Sequence, residues 1–551
     1  MRNVLLILSV FIVGIGFGQD TNRRYIITFK DKKTSSYEVT NPEKFLSARA
    51  LQRRERMQIL VVENDLPVNE GYIRNIEELG YKIEGRSKWL NSIIVSNIIG
   101  DCKENIVQLD YVLSVKEVSI PTLKSEKPFF KIEERLSSSS VYSSVKSGGV
   151  YDYGNSYSQI ALFNGDSVHN MGYNGEGVII AVLDAGFRNG DKMPVFDSLW
   201  ENNQILGTKN FVAPGEDVFA DDIHYHGFSV LSLMGGILPG ELIGTAPKAG
   251  FYLCRTEDAN AEYLLEEYYW VQAAEYADSL GVDVINSSLG YTQFNNGEHN
   301  HTYKDMDGDT APITIGADIA ASKGIIVVNS AGNSGESDWY YIGAPADGDS
   351  VFSIGATDVL GNYVDFSSKG PTSDGRVKPD VAVQGSQTLA ASSYGGVGNG
   401  NGTSYSSPLV AGMMACMVQA FPGVNNIKIM DAVRESASQY NRPDSLLGYG
   451  VPDFVKALEL LKLGQEGVSD NFSFSICPNP AMKEITVCFA DVLTLGVSVE
   501  IVNSKGVKIE SFVVSVTDAK FSIDVSSLSA GIYFLSVSGD DFRDVKKFVK
   551  Y

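Results

Sequence analysis

Ile179-Ile180-Ala181-Val182-Leu183-Asp184-Ala185-Gly186 is the stretch that decides the fold of this chain. Five consecutive apolar residues form a strand without a polar face, and a carboxylate follows where the strand ends. Further short apolar segments of this kind follow along the chain, and segments with helical periodicity separate some of them. Continuous apolar strands that alternate with helices are typical of a mostly parallel sheet with helices on both faces. In such sheets reactive side chains collect at the carboxyl ends of strands, which is where Asp184 lies.

This pattern extends over residues 150–462, which we predict to be one α/β domain. The other apolar strands predicted in it are Gly250–Cys254, Val282–Asn286, Ile325–Val328 and Val351–Ile354, and the predicted helices include Ala261–Leu280 and Ile313–Lys323.

Two smaller domains are predicted on either side. Residues 19–135 have the pattern of a small α+β domain, and a Ser/Gly-rich linker follows at 136–149. After a second linker at 463–470, residues 471–551 show only strand patterns and predict a small all-β sandwich. The predicted elements of the first domain are strands Arg24–Phe29, Asn91–Ser96 and Val112–Val118 and helices Glu43–Met57 and Asn69–Leu79.

The N-terminus and the composition bound the function. Met1–Gly18 has a positive start, a 14-residue apolar run and small residues at its end, which predicts a secretory signal peptide rather than a retained anchor. No later stretch is long and apolar enough to span a membrane. The chain has 45 Lys+Arg against 67 Asp+Glu, a net charge of −22. Because nucleic-acid phosphates would repel such a surface, we expect no nucleic-acid partner. We therefore predict an exported protein with no membrane span after signal removal.

Three residues of the central domain have the chemistry of nucleophilic catalysis. Asp184 ends a strand, His226 precedes an apolar helical run, and Ser404 lies at the start of the buried helix predicted over Leu409–Phe421. A serine hydroxyl becomes a good nucleophile when an imidazole accepts its proton and a carboxylate orients that imidazole. The three residues are far apart in sequence, so they meet only through folding. His224 is an alternative to His226, but no glycine follows it and we expect it to be a surface neighbour.

The segments around these residues resemble the motifs of the subtilisin-like serine proteases, or subtilases, over about residues 170–455. They have the sequences VLDAGF, HGFSV and NGTSYSSPLVAG, in the order Asp, His, Ser that subtilisin has. The resemblance implies a secreted serine endopeptidase in which Asp184, His226 and Ser404 form an acyl-enzyme. Subtilases more often have His-Gly-Thr-His-Val in the second motif and Met-Ala after the nucleophile. We expect these departures to affect pocket shape and specificity.

Two further segments resemble parts of the subtilase substrate site. VVNSAGNSG (327–335) resembles the segment whose asparagine, here Asn333, donates to the oxyanion together with the serine N–H. SSLG (287–290) resembles the strand that pairs with the backbone of the substrate. The resemblance therefore implies that protein or peptide substrates are bound by Ser287, Ser288, Leu289, Gly290, Ser330, Ala331 and Gly332.

The flanking domains resemble accessory domains of secreted subtilases. Residues 19–135 contain KFLSARALQRR and SKWLNSIIV and resemble bacterial subtilase propeptides, which implies a zymogen; the alternative is an independent binding domain. Residues 471–551 contain Pro478-Asn479-Pro480 and a basic close, and they resemble the sorting domain of the type IX secretion system of Bacteroidetes. The type IX machinery is then a partner, and the protein is secreted or held at the cell surface. The alternative for this domain is an adhesion or carbohydrate-binding module.

The chemistry of such an enzyme requires no cofactor, but the resemblance is compatible with structural Ca²⁺ without locating it. His299 and His301 lie near Asp305, Asp307 and Asp309, whose carboxylates alternate as in a calcium loop. The bidentate glutamate that ends an EF-hand loop does not follow them, so we expect a solvated acidic loop. An alternative function of another class is a catalytically inactive subtilase scaffold that serves as a surface adhesin.

Overall fold

The computed structural model describes residues 23–97, 103–120, 149–295, 297–466, 474–489, 496–503, 508–515, 520–538 and 543–551. The chain divides into two compact units, Met1–Ala457 and Leu458–Tyr551. The predicted signal peptide and nearly all of the linker at 136–149 lie outside the described residues. In the part of the chain that the structure describes, no helix combines the length and the apolarity needed to cross a membrane.

The N-terminal part of the first unit is the predicted α+β domain. Its elements are β1 (Arg23–Phe29), α1 (Ala48–Arg56), α2 (Glu70–Glu78), β2 (Tyr81–Ser87), β3 (Ser92–Asn97), α3 (Lys103–Val107) and β4 (Val112–Ser119). The strands form an antiparallel sheet in the order β2–β3–β1–β4. Ile73 and Ile76 of α2 pack with the apolar side chains of this sheet in one core.

The first helix of this domain is shorter than predicted. Its pattern predicts a helix over Glu43–Met57, whereas a single 3-10 turn forms at Pro42–Lys44 and the α-helix begins at Ala48. The cause is a cap inside the predicted span: the Ser47 hydroxyl accepts a hydrogen bond from the Ala50 N–H at 3.2 Å. A serine in this position satisfies a free N–H of the first turn and so defines where the helix begins.

The second part of this unit is the predicted α/β domain, built on a seven-stranded parallel sheet. Its elements are α4 (Tyr157–Ala161), α5 (Gly165–Asn170), β5 (Ile179–Asp184), α6 (Asp197–Glu201), β6 (Ile205–Asn210), α7 (His226–Gly235), β7 (Ile237–Leu238), β8 (Leu242–Ile243), β9 (Gly250–Arg255), α8 (Leu265–Leu280), β10 (Val284–Ser287), α9 (Pro312–Ser322), β11 (Ile326–Ser330), β12 (Val351–Thr357), β13 (Val381–Gln384), β14 (Thr388–Ala391), β15 (Val397–Gly400), α10 (Thr403–Ala420), α11 (Asn426–Ser436) and α12 (Phe454–Glu466). The strand order of the sheet is β13–β12–β11–β10–β5–β9–β6.

Helices cover both faces of this sheet, as the unbroken apolar strands predict. Ala181 and Leu183 of β5 pack in one core with side chains of α8 and α9. Because side chains alternate along a strand, Ile180 and Val182 point to the opposite face. Helices α7 and α10 pack against β5 and its neighbours as well. The fold class predicted from the sequence is confirmed.

Strand β5 lies where the order of the sheet reverses. The chain first builds the β9–β6 side of β5 and then returns to build the β10–β13 side. Ligands of open α/β sheets bind in the crevice at the carboxyl ends of strands where the order reverses. Asp184, the last residue of β5, stands at this point.

The C-terminal unit is the predicted all-β sandwich. Its strands are β16 (Phe474–Cys477), β17 (Glu484–Phe489), β18 (Gly496–Asn503), β19 (Lys508–Ser515), β20 (Lys520–Asp524), β21 (Gly531–Ser538) and β22 (Arg543–Lys550). They form sheets β16–β17–β20 and β19–β18–β21–β22, which share one apolar core. The Asn479 side chain donates to the Lys547 carbonyl at 3.0 Å and accepts from the Val549 N–H at 2.9 Å. The Pro-Asn-Pro segment is therefore tied to the last strand.

Part of the predicted linker at 463–470 is helical. Leu463–Glu466 continue helix α12, and residues 467–470 lie outside the described residues. The helix reaches this far because the segment from Phe454 holds strong helix formers such as Ala, Leu, Glu and Lys and no proline.

Candidate active site

Asp184 and His226 form a buried pair at the carboxyl end of β5. Their exposed fractions are 0% and 2%. His226 Nδ1 lies 2.7 Å from Asp184 Oδ1, which also accepts the Ala185 N–H at 2.7 Å. Because a carboxylate accepts hydrogen bonds, the Nδ1 of His226 is the donor, and Nε2 is then the acceptor nitrogen of a neutral imidazole.

Gly227 allows helix α7 to approach β5 closely enough for this pair. A Cβ at Gly227 would lie 2.6 Å from the Gly186 carbonyl oxygen and 3.0 Å from the Asp184 Cβ. Such contacts are shorter than van der Waals separations, so any larger residue would push the first turn of α7 away. The glycine after the histidine therefore sets the distance between imidazole and carboxylate.

Ser404 lies in the first turn of α10 and is 6% exposed. Its Oγ is 3.3 Å from the Ser288 carbonyl oxygen, and the Ser288 hydroxyl donates to the Ser404 carbonyl at 3.1 Å. Helices α10 and α7 pack together. Burial, the nearby Tyr225 hydroxyl and the Asp184 carboxylate raise the pKa of the neighbouring Tyr405 phenol. The start of α10 therefore lies beside the Asp184–His226 pair.

Asn333 lies next to the first turn of α10. Its Oδ1 accepts the Thr403 N–H at 2.8 Å and the Thr403 hydroxyl at 3.0 Å. Since the oxygen is engaged by two donors, Nδ2 is the side of the amide left to donate to another group. The Asn333 Nδ2 and the Ser404 nitrogen lie 3.4 Å and 3.7 Å from the point where a Cβ of Gly402 would be. Two N–H donors thus border the same small space.

The predicted substrate segment at 287–290 divides into two parts. Ser287 is the last residue of β10 and pairs with both neighbouring strands, and its Oγ accepts the Trp270 indole N–H at 3.0 Å. Ser288, Leu289 and Gly290 continue past the end of the strand. The Leu289 carbonyl accepts from the Asn329 side chain at 3.0 Å. The backbone of residues 288–290 is the part of this segment that lies outside the sheet.

The second predicted substrate segment, residues 330–332, leads from β11 towards Asn333. Ala331 is buried, and the Gly332 N–H donates to the Thr403 hydroxyl at 3.1 Å. Gly332 has φ +105°, and a Cβ there would lie 2.8 Å from the Ser368 Oγ. A residue other than glycine would be strained at this φ.

His224 is not the surface residue that the sequence predicts. It is half-buried, and its Nδ1 accepts the His226 backbone N–H at 3.2 Å. Burial, followed by the charge of His226, lowers the pKa of His224 to about 3. His224 is therefore neutral at physiological pH and serves as an acceptor at the start of α7.

The aspartates of the acidic loop at 305–309 accept hydrogen bonds from nearby backbone N–H groups. Asp305 accepts the Thr302 N–H at 2.7 Å, and Asp307 accepts the Asp309 N–H at 3.0 Å. The two histidines near it also have protein partners: His299 Nε2 lies 3.0 Å from the Glu117 carbonyl oxygen, and His301 Nε2 contacts the Glu267 carboxylate. Each of these four side chains therefore has a protein partner among the described residues.

The N-terminal domain packs on helix α8 through a buried charge network. Arg53 is 0% exposed and donates to Asp278 at 2.7 Å and to the Lys323 carbonyl at 3.2 Å. Arg54 donates to Asp278 at 2.9 Å, and the Lys88 ammonium lies 3.2 Å from the same carboxylate. Although burial opposes it, Lys88, Arg53 and Arg54 lower the pKa of Asp278 to about 2.

A second acid of α8 binds the loop between β2 and β3. Glu275 accepts the Ser87 hydroxyl at 2.5 Å and the N–H groups of Lys88 and Trp89 at 2.9 Å each. Both segments that resemble subtilase propeptides, KFLSARALQRR and SKWLNSIIV, thus contact this helix.

Three buried glutamates near the active site were missed by the sequence reasoning. Glu257, Glu262 and Glu266 follow β9, and one carboxylate oxygen of each lies within 4.8 Å of the other two. Burial raises the pKa of all three, that of Glu257 to about 7. The sequence did contain a signal for Glu257. This residue closely follows a buried parallel strand whose carboxyl end lies at the same edge of the sheet as Asp184.

The chain belongs to the subtilase family, which it matches over residues 175–450. Residues 24–131 match the peptidase S8 propeptide domain of Bacteroidota, and residues 475–551 match a secretion system C-terminal sorting domain. These matches confirm the three resemblances. The protein is a propeptide-bearing member of a serine peptidase family, and its type IX sorting domain indicates export, with the protein secreted or at the cell surface.

Several subtilisins resemble the central domain at moderate identity. Subtilisin E of Bacillus subtilis (strain 168) is 30% identical over 282 residues, which are 51% of this chain and 65% of that protein. Subtilisin of Bacillus pumilus is 30% identical over 282 residues, which are 51% of this chain and 90% of that protein. Among solved structures, MycP1 from Mycobacterium smegmatis is 21% identical with a TM-score of 0.42, over 55% of this chain and 84% of that one.

Proposed function

We propose that this protein is a secreted serine endopeptidase that hydrolyses protein or peptide substrates through an acyl-enzyme. The observation that carries this proposal is the buried hydrogen bond of 2.7 Å between His226 and Asp184, beside the helix turn that holds Ser404. A carboxylate, an imidazole and a hydroxyl in this arrangement supply a proton acceptor and a nucleophile.

The reaction begins when Ser404 Oγ attacks the carbonyl carbon of the peptide bond and His226 Nε2 takes the hydroxyl proton. His226 then gives this proton to the leaving amine nitrogen, and the peptide C–N bond breaks to leave the acyl-enzyme. Water, deprotonated by His226, hydrolyses the ester and restores the Ser404 hydroxyl. Asp184 holds Nδ1 and stabilises the charged imidazole.

The negative charge that develops on the carbonyl oxygen needs donors already in place. Asn333 Nδ2 and the Ser404 N–H border one space next to Gly402, and Thr403 holds the Asn333 oxygen on the other side. We assign these two N–H groups to the oxyanion, because donors that need no rearrangement stabilise a transition state most. Substrate backbone would pair with residues 288–290, and residues 330–332 would border the first specificity pocket.

The N-terminal domain fits the role of a propeptide that is held until cleavage. Arg53 and Arg54 of this domain are buried against Asp278 of α8. These ion pairs oppose dissociation of the domain from the peptidase while the domain is intact. The protein is then made as a zymogen whose first activity is removal of this domain.

A fluorophosphonate probe tests the proposed nucleophile directly. The processed protein from the culture medium should react at Ser404, and Ser404→Ala should abolish labelling. Ser406→Ala is the matched control, because Ser406 lies in the same helix turn, is buried, and has an Oγ without a partner among the described residues. This control should be labelled as fast as the parent. A folded parent that does not react, or a Ser404→Ala variant that still does, would support an inactive scaffold or another nucleophile.

A further inference from the structure

Three glutamates that the proposed reaction does not use lie together after β9. Glu257, Glu262 and Glu266 are 2%, 3% and 0% exposed, and one carboxylate oxygen of each lies within 4.8 Å of the others. Ca²⁺ binds oxygen at roughly 2.3–2.6 Å, so two of its ligands lie at most about 5 Å apart. The spacing of the three carboxylates is therefore that of ligands to one ion.

Neutral donors meet only some of the oxygens of this cluster. The Tyr291 hydroxyl donates to Glu257 at 2.6 Å, and the N–H groups of Asp258 and Tyr263 donate to Glu266 at 2.7 Å and 3.0 Å. These bonds hold the carboxylates of Glu257 and Glu266 in place. They bring no positive charge to offset three buried acids.

The strongest charged neighbours of the cluster are themselves acidic. Glu262 and Glu266 are each acted on by Glu257 and by one further glutamate, and these charges add to burial in raising their pKa. The Arg255 guanidinium lies nearby, but its ion pair, at 3.9 Å, is with Asp258. Buried acids without a paired cation are costly unless they are protonated or bind a metal ion.

Glu262 has a carboxylate oxygen that protein donors leave unsatisfied. Its Oε1 is fully buried and has no hydrogen-bond partner among the residues that the structure describes. Glu262 and Glu257 are within hydrogen-bond reach of each other, so a proton shared between these two acids is the alternative to a cation bound by all three carboxylates. We propose that Glu257, Glu262 and Glu266 bind one calcium ion, which stabilises the segment between β9 and α8.

The donor set and the location of the protein select calcium. Three carboxylates offer oxygen ligands alone, which hard cations prefer, whereas structural zinc sites are built mostly from thiolate and imidazole. Mg²⁺ demands near-ideal octahedral geometry and keeps several waters, which a closed cluster of side chains disfavours. The protein is exported, and calcium sites of extracellular modules work at the calcium concentrations found there.

The metal content of the full chain tests this proposal. Ser404→Ala serves as the parent, so that self-cleavage does not change the sample. After dialysis against a low concentration of Ca²⁺, elemental analysis should find one Ca²⁺ per chain fewer in the Glu262→Gln, Glu266→Gln double variant. Asp307→Asn, which removes an acid from the loop at 305–309, should keep the content of the parent. Tb³⁺ should show luminescence sensitised by Tyr291 in the parent, and the double variant should lose that component.

The proposal is overturned if the double variant is folded by circular dichroism and retains as much Ca²⁺ and Tb³⁺ luminescence as the parent. It is also overturned if the melting temperature of the parent is the same in Ca²⁺ and in EDTA, since the acids are then protonated. If the double variant does not fold, Glu262→Gln alone is compared by the same measurements. None of these readouts uses peptidase activity. They therefore test the calcium site even if the labelling experiment shows that Ser404 is not a nucleophile.

Discussion

Replacement of Arg53 by methionine should weaken the hold of the N-terminal domain on the catalytic domain by about 100-fold. Methionine keeps most of the apolar volume of the arginine stem but donates no hydrogen bonds. All hydrogen bonds described for the Arg53 side chain cross to the catalytic domain: they go to the Asp278 carboxylate, the Val282 carbonyl and the Lys323 carbonyl. The substitution therefore removes contacts between the two domains and leaves the N-terminal domain itself intact.

The expected loss of affinity depends on the ion pairs that Asp278 keeps after Arg53 is replaced. Breaking a buried ion pair costs about 3–5 kcal/mol when the remaining charge is left unpaired. Asp278 keeps Arg54 at 2.9 Å and Lys88 at 3.2 Å, so we take the lower end, about 3 kcal/mol. At about 1.4 kcal/mol for each tenfold change in a dissociation constant, this corresponds to about 100-fold.

The assay measures the dissociation constant after cleavage between the domains, when the N-terminal domain is held by these contacts alone. The processed complex is diluted in steps, and the fraction of active peptidase at each concentration gives the constant. Arg86→Met is the matched control, because the ion pair of Arg86 with Glu70 lies within the N-terminal domain and both side chains are exposed, 46% and 43%. Exposed pairs contribute about 0–1 kcal/mol, so this variant should stay close to the parent. Equal dissociation constants for the two variants would refute the role assigned to the buried network.

Three other outcomes are expected. Asn333→Ala should lower kcat about 100–1000-fold with little change in KM, the loss that removal of such a donor causes in subtilisin; an unchanged kcat would remove Asn333 from the oxyanion site. Deletion of residues 471–551 should leave the protein in the periplasm, as cell fractionation would show, and normal export would contradict a sorting role. Because the pKa of Asp278 is about 2, below its ordinary value, its stabilising effect is complete above about pH 4 and is lost as the pH falls through 2. The melting temperatures of Ser404→Ala proteins with and without Asp278→Asn should therefore differ above pH 4 and converge near pH 2, and a constant difference would contradict this.

In the seven-stranded sheet, the five strands that have a neighbour on each side could all be predicted from the sequence. Strand β5 is apolar up to Asp184 because strands flank it on both sides and helices cover both faces. Strands β2 and β6 were missed, and each lies at the edge of its sheet. Their sequences, YKIEGRS and ILGTKN, mix polar and apolar residues because one side of each strand faces no other strand. A local hydrophobic pattern carries little information about such strands.

The candidate catalytic residues could be predicted because each lies in a short motif that has a local reason for its residues. Gly227 permits the close approach of α7, and Thr403 orients Asn333. The contacts of Asp278 and Glu262 depend instead on segments far away in the sequence. In the sequence these two acids look like solvent-exposed helix residues, and only the fold shows that both are buried.

The two ends of helix α8 differ in the charges that surround their buried acids. Asp278 lies in the last turn of the helix, where the helix dipole disfavours a carboxylate, and it depends on cations from the N-terminal domain. Glu266 lies in the first turn, where the dipole favours a carboxylate, but its strongest charged neighbours are also glutamates. Removal of the N-terminal domain would take away Arg53, Arg54 and Lys88, the three cations that pair with Asp278. The strongest charged neighbours of the acids at the other end of the helix include no cation of the N-terminal domain, and the calcium ion proposed above would supply their positive charge.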